Sequence, residues 1–146
     1  MPAKVFVDTN IWLYSLIRRA EEHDDRHQQA ADFLLNLARP VINSQVIREI
    51  CSNLIKKVYM PEEQMRILIQ GWYQDCEVIT SNASQHLLAS RLRKSYSLSY
   101  WDSLIVAAAI DAGCATLFSE DMQHGQTIEG CLTIINPFRS AANPLF

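Results

Sequence analysis

Short β-branched runs alternating with helix-length segments constrain this chain more than any other feature. The runs are residues 4–8 (KVFVD), 41–43, 77–80, 114–118 and 132–136. Between them, apolar residues recur at helical spacing in 11–19, around 30–37, 44–58, 61–73, from 81–84 to about 94, and 99–112. Pro61 followed by Glu62 and Glu63 suits a helix start, and Gly113 suits a stop. Strand–helix alternation predicts an α/β fold with a central, mostly parallel sheet of about five short strands covered by helices on both faces. With 146 residues the expectation is one domain over 1–146, ending in an irregular tail over 137–146.

Composition removes several classes. Hydrophobic residues make up 49% and charged residues 20%, which excludes intrinsic disorder. A net charge of −3 excludes attachment to nucleic acid by bulk positive charge, though not by a local basic patch. Cys51, Cys76, Cys114 and Cys131 form no C-x-x-C and no zinc spacing with a histidine, so they read as reduced core thiols. The longest apolar run, 104–110, is far shorter than the ~18 residues of a membrane span, and no signal-peptide pattern opens the chain. A cytoplasmic protein without a membrane partner is expected. The glycines form neither G-x-G-x-x-G nor G-x-x-x-x-G-K, so no phosphate loop of those types exists.

Ligands of open α/β sheets bind beyond the carboxyl ends of the strands, so the polar residues that follow strands matter most. Asp8 ends the first run, Asp121 follows the fourth within SED, and Glu49 lies on the helix entered from the second. Asp102 stands in the first turn of the helix that leads into the fourth run. Each has a plain alternative. Asp8 and Asp102 suit turn and capping chemistry, and Asp121 suits a loop. Glu49 lies roughly 155° from the centre of its helix's apolar stripe, as a solvated glutamate does. Jointly they say more. Two carboxylates ~4 Å apart repel by about 4 kcal/mol at an effective dielectric of ~20, so four converging acids need a cation among them. An all-oxygen set suits a hard ion such as Mg²⁺ or Mn²⁺, which activates water and screens a phosphodiester.

FVDTNIWLY around Asp8, SQVIREI from Ser44, YWDSLIVAAA around Asp102, LFSEDMQHGQ around Asp121 and the closing TIINPF stand in order over nearly the whole chain. Together they resemble the PIN domain, in particular the small single-domain PIN ribonucleases of the VapC toxin type. The resemblance implies that Asp8, Glu49, Asp102 and Asp121 hold Mg²⁺ or Mn²⁺, with Asn10 and Ser119 lining the site. It implies hydrolysis of RNA that leaves a 5′-phosphate and a 3′-hydroxyl. It further implies a cognate antitoxin lying across the active-site groove, and a homodimer. A housekeeping nuclease without an antitoxin, or a non-catalytic binding module, are the alternatives within the family.

Other residues read more plainly. Arg91, Arg93 and Lys94, with Arg48, Lys56 and Lys57, can contact flanking phosphates or simply face solvent. His23 and His27 have zinc-compatible i, i+4 spacing but no evident third ligand, and His124 can touch substrate or be a loop histidine. Trp12, Tyr14, Trp72, Tyr73 and Trp101 are expected in the core or a dimer interface rather than in a base-stacking platform, which their scattered placement does not support. A phosphatase of the haloacid-dehalogenase kind requires Asp-x-Asp, and Asn10 breaks that pattern. A metal-free ribonuclease requires a histidine pair that the chain does not offer.

Overall fold

A computed structural model describes residues 3–18 and 25–139. Its strands are β1 (Lys4–Val7), β2 (Val41–Asn43), β3 (Glu77–Ile79), β4 (Cys114–Phe118), β5 (Thr127–Ile128) and β6 (Leu132–Ile135). The helices are α1 (Thr9–Leu16), α2 (Arg26–Leu35), α3 (Ser44–Val58), α4 (Glu62–Asp75), α5 (Ala83–Tyr96) and α6 (Tyr100–Asp111). The sheet runs β3-β2-β1-β4-β6-β5, parallel throughout except for β5 against β6.

The connections explain where a site can form. From β1 the chain steps outward through β2 to β3, then crosses back through α5 and α6 to pair β4 with the other side of β1. Parallel crossovers are right-handed, so this reversal puts α5 and α6 on the opposite face from the earlier helices. The strand order therefore switches between β1 and β4, where an open α/β sheet leaves a crevice at its carboxyl end.

Burial follows the apolar pattern. Phe6, Val41, Ile42, Leu117 and Ile134 fill the sheet, while Val46, Ile50 and Leu54 turn one stripe of α3 inward. In α6 the residues from Ile105 to Ala109 are all buried, as a helix apolar on every side demands. Gly113, at φ +80, lets the chain leave α6 and enter β4 directly. No helix among the described residues is long and apolar enough to cross a membrane.

Three expectations need correction. Among the described residues the sheet has six strands rather than about five, because Thr127–Ile128 pairs antiparallel with β6 through a turn at Glu129 and Gly130, both at positive φ. Of the core or dimer-interface placement expected for the large aromatics, the core half fails for Trp101 and Tyr73, which are 64% and 56% exposed, whereas Trp12 and Trp72 are buried. Cys131 is also exposed, while Cys76 and Cys114 are buried thiols. The expected tail over 137–146 falls largely outside the described residues, as does His23 of the proposed histidine pair.

Candidate active site

Asp8 sits at the switch point. Its backbone N–H donates to Phe118 O at 2.9 Å, which prolongs the β1–β4 ladder by one step beyond Val7. Its side chain caps α1, with Oδ1 accepting from Thr9 N at 2.8 Å. Oδ2 accepts from the fully buried Ser119 Oγ at 2.9 Å. Ser119 is held in turn by its own N–H, which donates to Ile135 O at 3.0 Å. Burial pushes the Asp8 carboxyl up to about 6 despite the Thr9 and Ser119 hydrogen bonds, and Glu49 and Asp102 push it the same way.

Glu49, on α3, is half-buried, and Gln45 Nε2 donates to its Oε1 at 2.9 Å. Asp102 occupies the first turn of α6, where its N–H donates to Ser99 Oγ at 3.2 Å. Burial raises the Asp102 carboxyl above its ordinary range; hydrogen bonding with Ser99 opposes this, and Asp121 and Glu49 add to it. Asp121 is exposed in the loop after β4. The four acids are thus linked by mutual repulsion, Asp8 with Glu49 and Asp102, and Asp102 with Glu49 and Asp121. They do not form a finished cage: among the described residues, no three His, Cys, Asp or Glu side chains close around one point.

The donor set still fits a hard divalent cation. Every member is a carboxylate, and two are held above their ordinary range by burial and by one another, a cost that a cation relieves. Beside them, Thr9 Oγ1 and Asn10 Nδ2 are buried without hydrogen-bond partners. Asn10 does use its oxygen, which accepts from Glu120 N at 3.4 Å.

The loop that carries Asp121 is tied down by residues the sequence reading overlooked. Glu120 accepts from Tyr14 Oη at 2.8 Å and pairs with Arg26. The Arg26 guanidinium lies 4.7 Å from the Phe138 ring centre and 5.7 Å from that of Tyr14. Only the adjacency of Glu120 to Asp121 hinted at this. A cavity of about 160 Å³ beside the loop is lined by Asn10, Tyr14, Ile17, Lys57, Glu120 and Asp121, among others.

Of the other residues weighed, Arg93 is engaged structurally. It donates to Ser103 Oγ at 2.9 Å and lies 5.0 Å over the Tyr100 ring. His124 Nδ1 accepts from Asn136 N at 2.9 Å, so that nitrogen braces a loop. His27 Nδ1 contacts Tyr14 O at 3.0 Å.

The family profile described as PIN domain matches residues 5–127. Comparison with curated proteins finds no match. Among solved structures, a chain of a toxin–antitoxin complex from Klebsiella pneumoniae superposes with a TM-score of 0.70 at 17% identity, covering 94% of this chain and 100% of that one. The crystal structure of VapC20 from Mycobacterium tuberculosis, described as a sarcin–ricin-loop-cleaving toxin, gives 0.63 at 16% identity, covering 81% and 90%.

Proposed function

Because this chain belongs to the PIN-domain family, we propose that it is a divalent-metal-dependent ribonuclease, the toxin of a toxin–antitoxin pair acting in the cytoplasm. Asp8, Glu49, Asp102 and Asp121 hold Mg²⁺ or Mn²⁺. When bound, that ion lowers the pKa of water and stabilises charge on a phosphodiester. The chain's own groups prepare the site. Ser119 and the Thr9 N–H fix both oxygens of Asp8, and Gln45 steadies Glu49. Asn10, whose side-chain oxygen accepts from Glu120 N at 3.4 Å, helps hold the loop that carries Asp121.

The observation that carries this reading is the burial of Asp8 at the β1–β4 switch point, held by Thr9 N–H and Ser119, with Glu49 and Asp102 near enough to raise its carboxyl and Asp121 acting on Asp102. Such an arrangement is costly to the fold alone and suits a site that takes up a cation. RNA as substrate and an antitoxin as partner are supported by the neighbours, one a toxin–antitoxin complex and the other an RNA-loop-cleaving toxin. A homodimer accompanies the family resemblance.

The test is cleavage of single-stranded RNA by the full chain in Mn²⁺, Mg²⁺ and EDTA, with mapping of the new ends. Cleavage that stops in EDTA, returns with either metal and leaves a 5′-phosphate is expected. Activity that survives chelation, or that leaves a cyclic phosphate, removes the reading.

A further inference from the structure

Two aromatic rings stand in water immediately before Asp102. Tyr100 is 49% and Trp101 64% exposed, unusual for residues that bury large apolar areas. They are not loose. The rings meet edge to face at 5.0 Å, and Arg93 lies 5.0 Å over Tyr100 while donating to Ser103 Oγ at 2.9 Å. An aromatic platform is thereby fixed in the first turn of α6.

The platform forms one wall of a cavity of about 170 Å³. Its lining also includes Ser44, Gln45 and Arg48 at the start of α3, with Ser81 and His86 beyond β3. This is the carboxyl end of β2 and β3, the end at which Asp8 closes β1. The walls are direct neighbours of two site acids. Trp101 precedes Asp102, Arg48 precedes Glu49, and Gln45 both lines the cavity and holds Glu49 at 2.9 Å. An exposed cation, polar groups and a fixed aromatic face next to an acidic centre match one chemistry, a nucleobase with its own phosphate.

We propose that this cavity is a nucleotide subsite: a base of single-stranded RNA stacks on Trp101, and Arg48 takes the adjoining phosphate. Lys57, which lines the separate cavity beside Asp121, offers a second cation. An RNA strand thus passes from the α6 platform, over Asp8, towards α1. The subsite rests on the nuclease reading, since it orients RNA against those acids, but its test separates from that reading.

Binding of a short single-stranded oligoribonucleotide is measured by fluorescence anisotropy on full-length protein carrying Asp8→Asn, with Mg²⁺ present. A matched oligomer lacking its bases serves as the second probe. Trp101→Ala should weaken binding of the intact RNA about 5- to 100-fold, Trp101→Phe should keep most of the affinity, and the abasic oligomer should be indifferent to both. Arg48→Ala should weaken both probes and flatten the salt dependence. In protein with Asp8 intact, Trp101→Ala should raise KM with kcat nearly unchanged. Trp101 is exposed, so circular dichroism of both variants should match the parent.

Equal loss for intact and abasic RNA on Trp101→Ala overturns the proposal. So does unchanged RNA affinity, including the case in which Trp101→Ala instead shifts a monomer–dimer equilibrium because the ring faces a second copy. Metal-dependent cleavage indifferent to Trp101 removes the subsite and leaves the nuclease. Base-dependent binding through Trp101 without any cleavage removes the nuclease and leaves the subsite.

Discussion

The two ends of the β1–β4 pair treat buried ionisable groups in opposite ways. At the amino end, Lys4 pairs in register with Cys114, whose thiol burial pushes up to about 12. Nearby Cys76, opening towards β3, is pushed up to about 11. A thiol that stays neutral costs little to bury, and the charged groups around these two, Lys4, Arg39, Asp75 and Glu77, are exposed or half-buried rather than buried. A cavity of about 720 Å³ at this end is lined by Trp12, Leu34, Leu37, Trp72, Cys76 and Arg39, among others. At the carboxyl end, Val7 pairs with Phe118, and the next residues are Asp8 and Ser119. There the chain buries a carboxylate, gives it two donors and surrounds it with more acids. One end solves a packing problem, while the other keeps an arrangement that packing alone disfavours, and that contrast marks the working end of the sheet.

The largest expected effect tests the contrast directly. Asp8→Asn should reduce RNA cleavage on the order of 10³-fold or more, read from initial rates in Mn²⁺. In metal-free buffer the same change should stabilise the fold. The Asp8 carboxyl rises from 3.8 unfolded to about 6 folded, so the folded state binds its proton more tightly. Its ionisation costs nothing below the unfolded value and about 3 kcal/mol by pH 7, so stability falls as pH climbs between the two values. Urea melts in EDTA at pH 5 and pH 7 should show Asp8→Asn ahead of the parent, with a larger lead at pH 7. The burial of Asp102 tilts the parent the same way. A variant no more stable than its parent would mean that this end carries no electrostatic cost.

The converse experiment moves a carboxylate to the quiet end. Cys114→Asp places an acid among buried neighbours where the Lys4 charge partly offsets its burial and Glu77 opposes it, and should cost about 2 kcal/mol at pH 7, less at pH 4, where the group is more nearly neutral. Cys114→Ala, a control that only removes volume, should cost about 1 kcal/mol. If the aspartate were tolerated as well as the alanine, the two ends would be electrostatically equivalent and the argument for Asp8 would lose its ground.

Much of this division was readable in the residues. The β-branched runs placed β1, β2, β3, β4 and β6, because each is bounded by a capping residue, Pro or Gly. Thr127–Ile128 escaped because two residues carry no period, although the turn at Glu129–Gly130 was a usable sign. The sequence put Asp8, Glu49, Asp102 and Asp121 at one sheet end, since each follows a strand or opens a helix beside one. How closely they approach was not readable, because distances between segments depend on helix packing that no local pattern encodes. For the same reason residue type alone left Trp101 to the core or a dimer interface, and its 64% exposure removes only the first: which face of α6 meets α5 and β4 is decided by tertiary contacts.

The smaller effects compare ion pairs at the two ends. Arg26 and Glu120 are about three-quarters buried, at 25% and 22% side-chain exposure, and Glu120 also accepts from Tyr14 Oη. Arg26→Ala should cost about 1 kcal/mol in urea melts and lower cleavage a few-fold, because the loop carrying Asp121 loses an anchor. At the amino end, Lys4 Nζ reaches Glu77 Oε1 at 3.0 Å, spanning from β1 to β3, but the side chains are 48% and 36% exposed. Water and salt already screen that pair, and ordering two long side chains offsets what attraction remains. Lys4→Ala should therefore shift stability by less than about 0.5 kcal/mol and leave cleavage unchanged. Should Lys4→Ala prove as damaging as Arg26→Ala, the amino end would hold a charge network of its own, and the sheet would have two electrostatically organised ends rather than one.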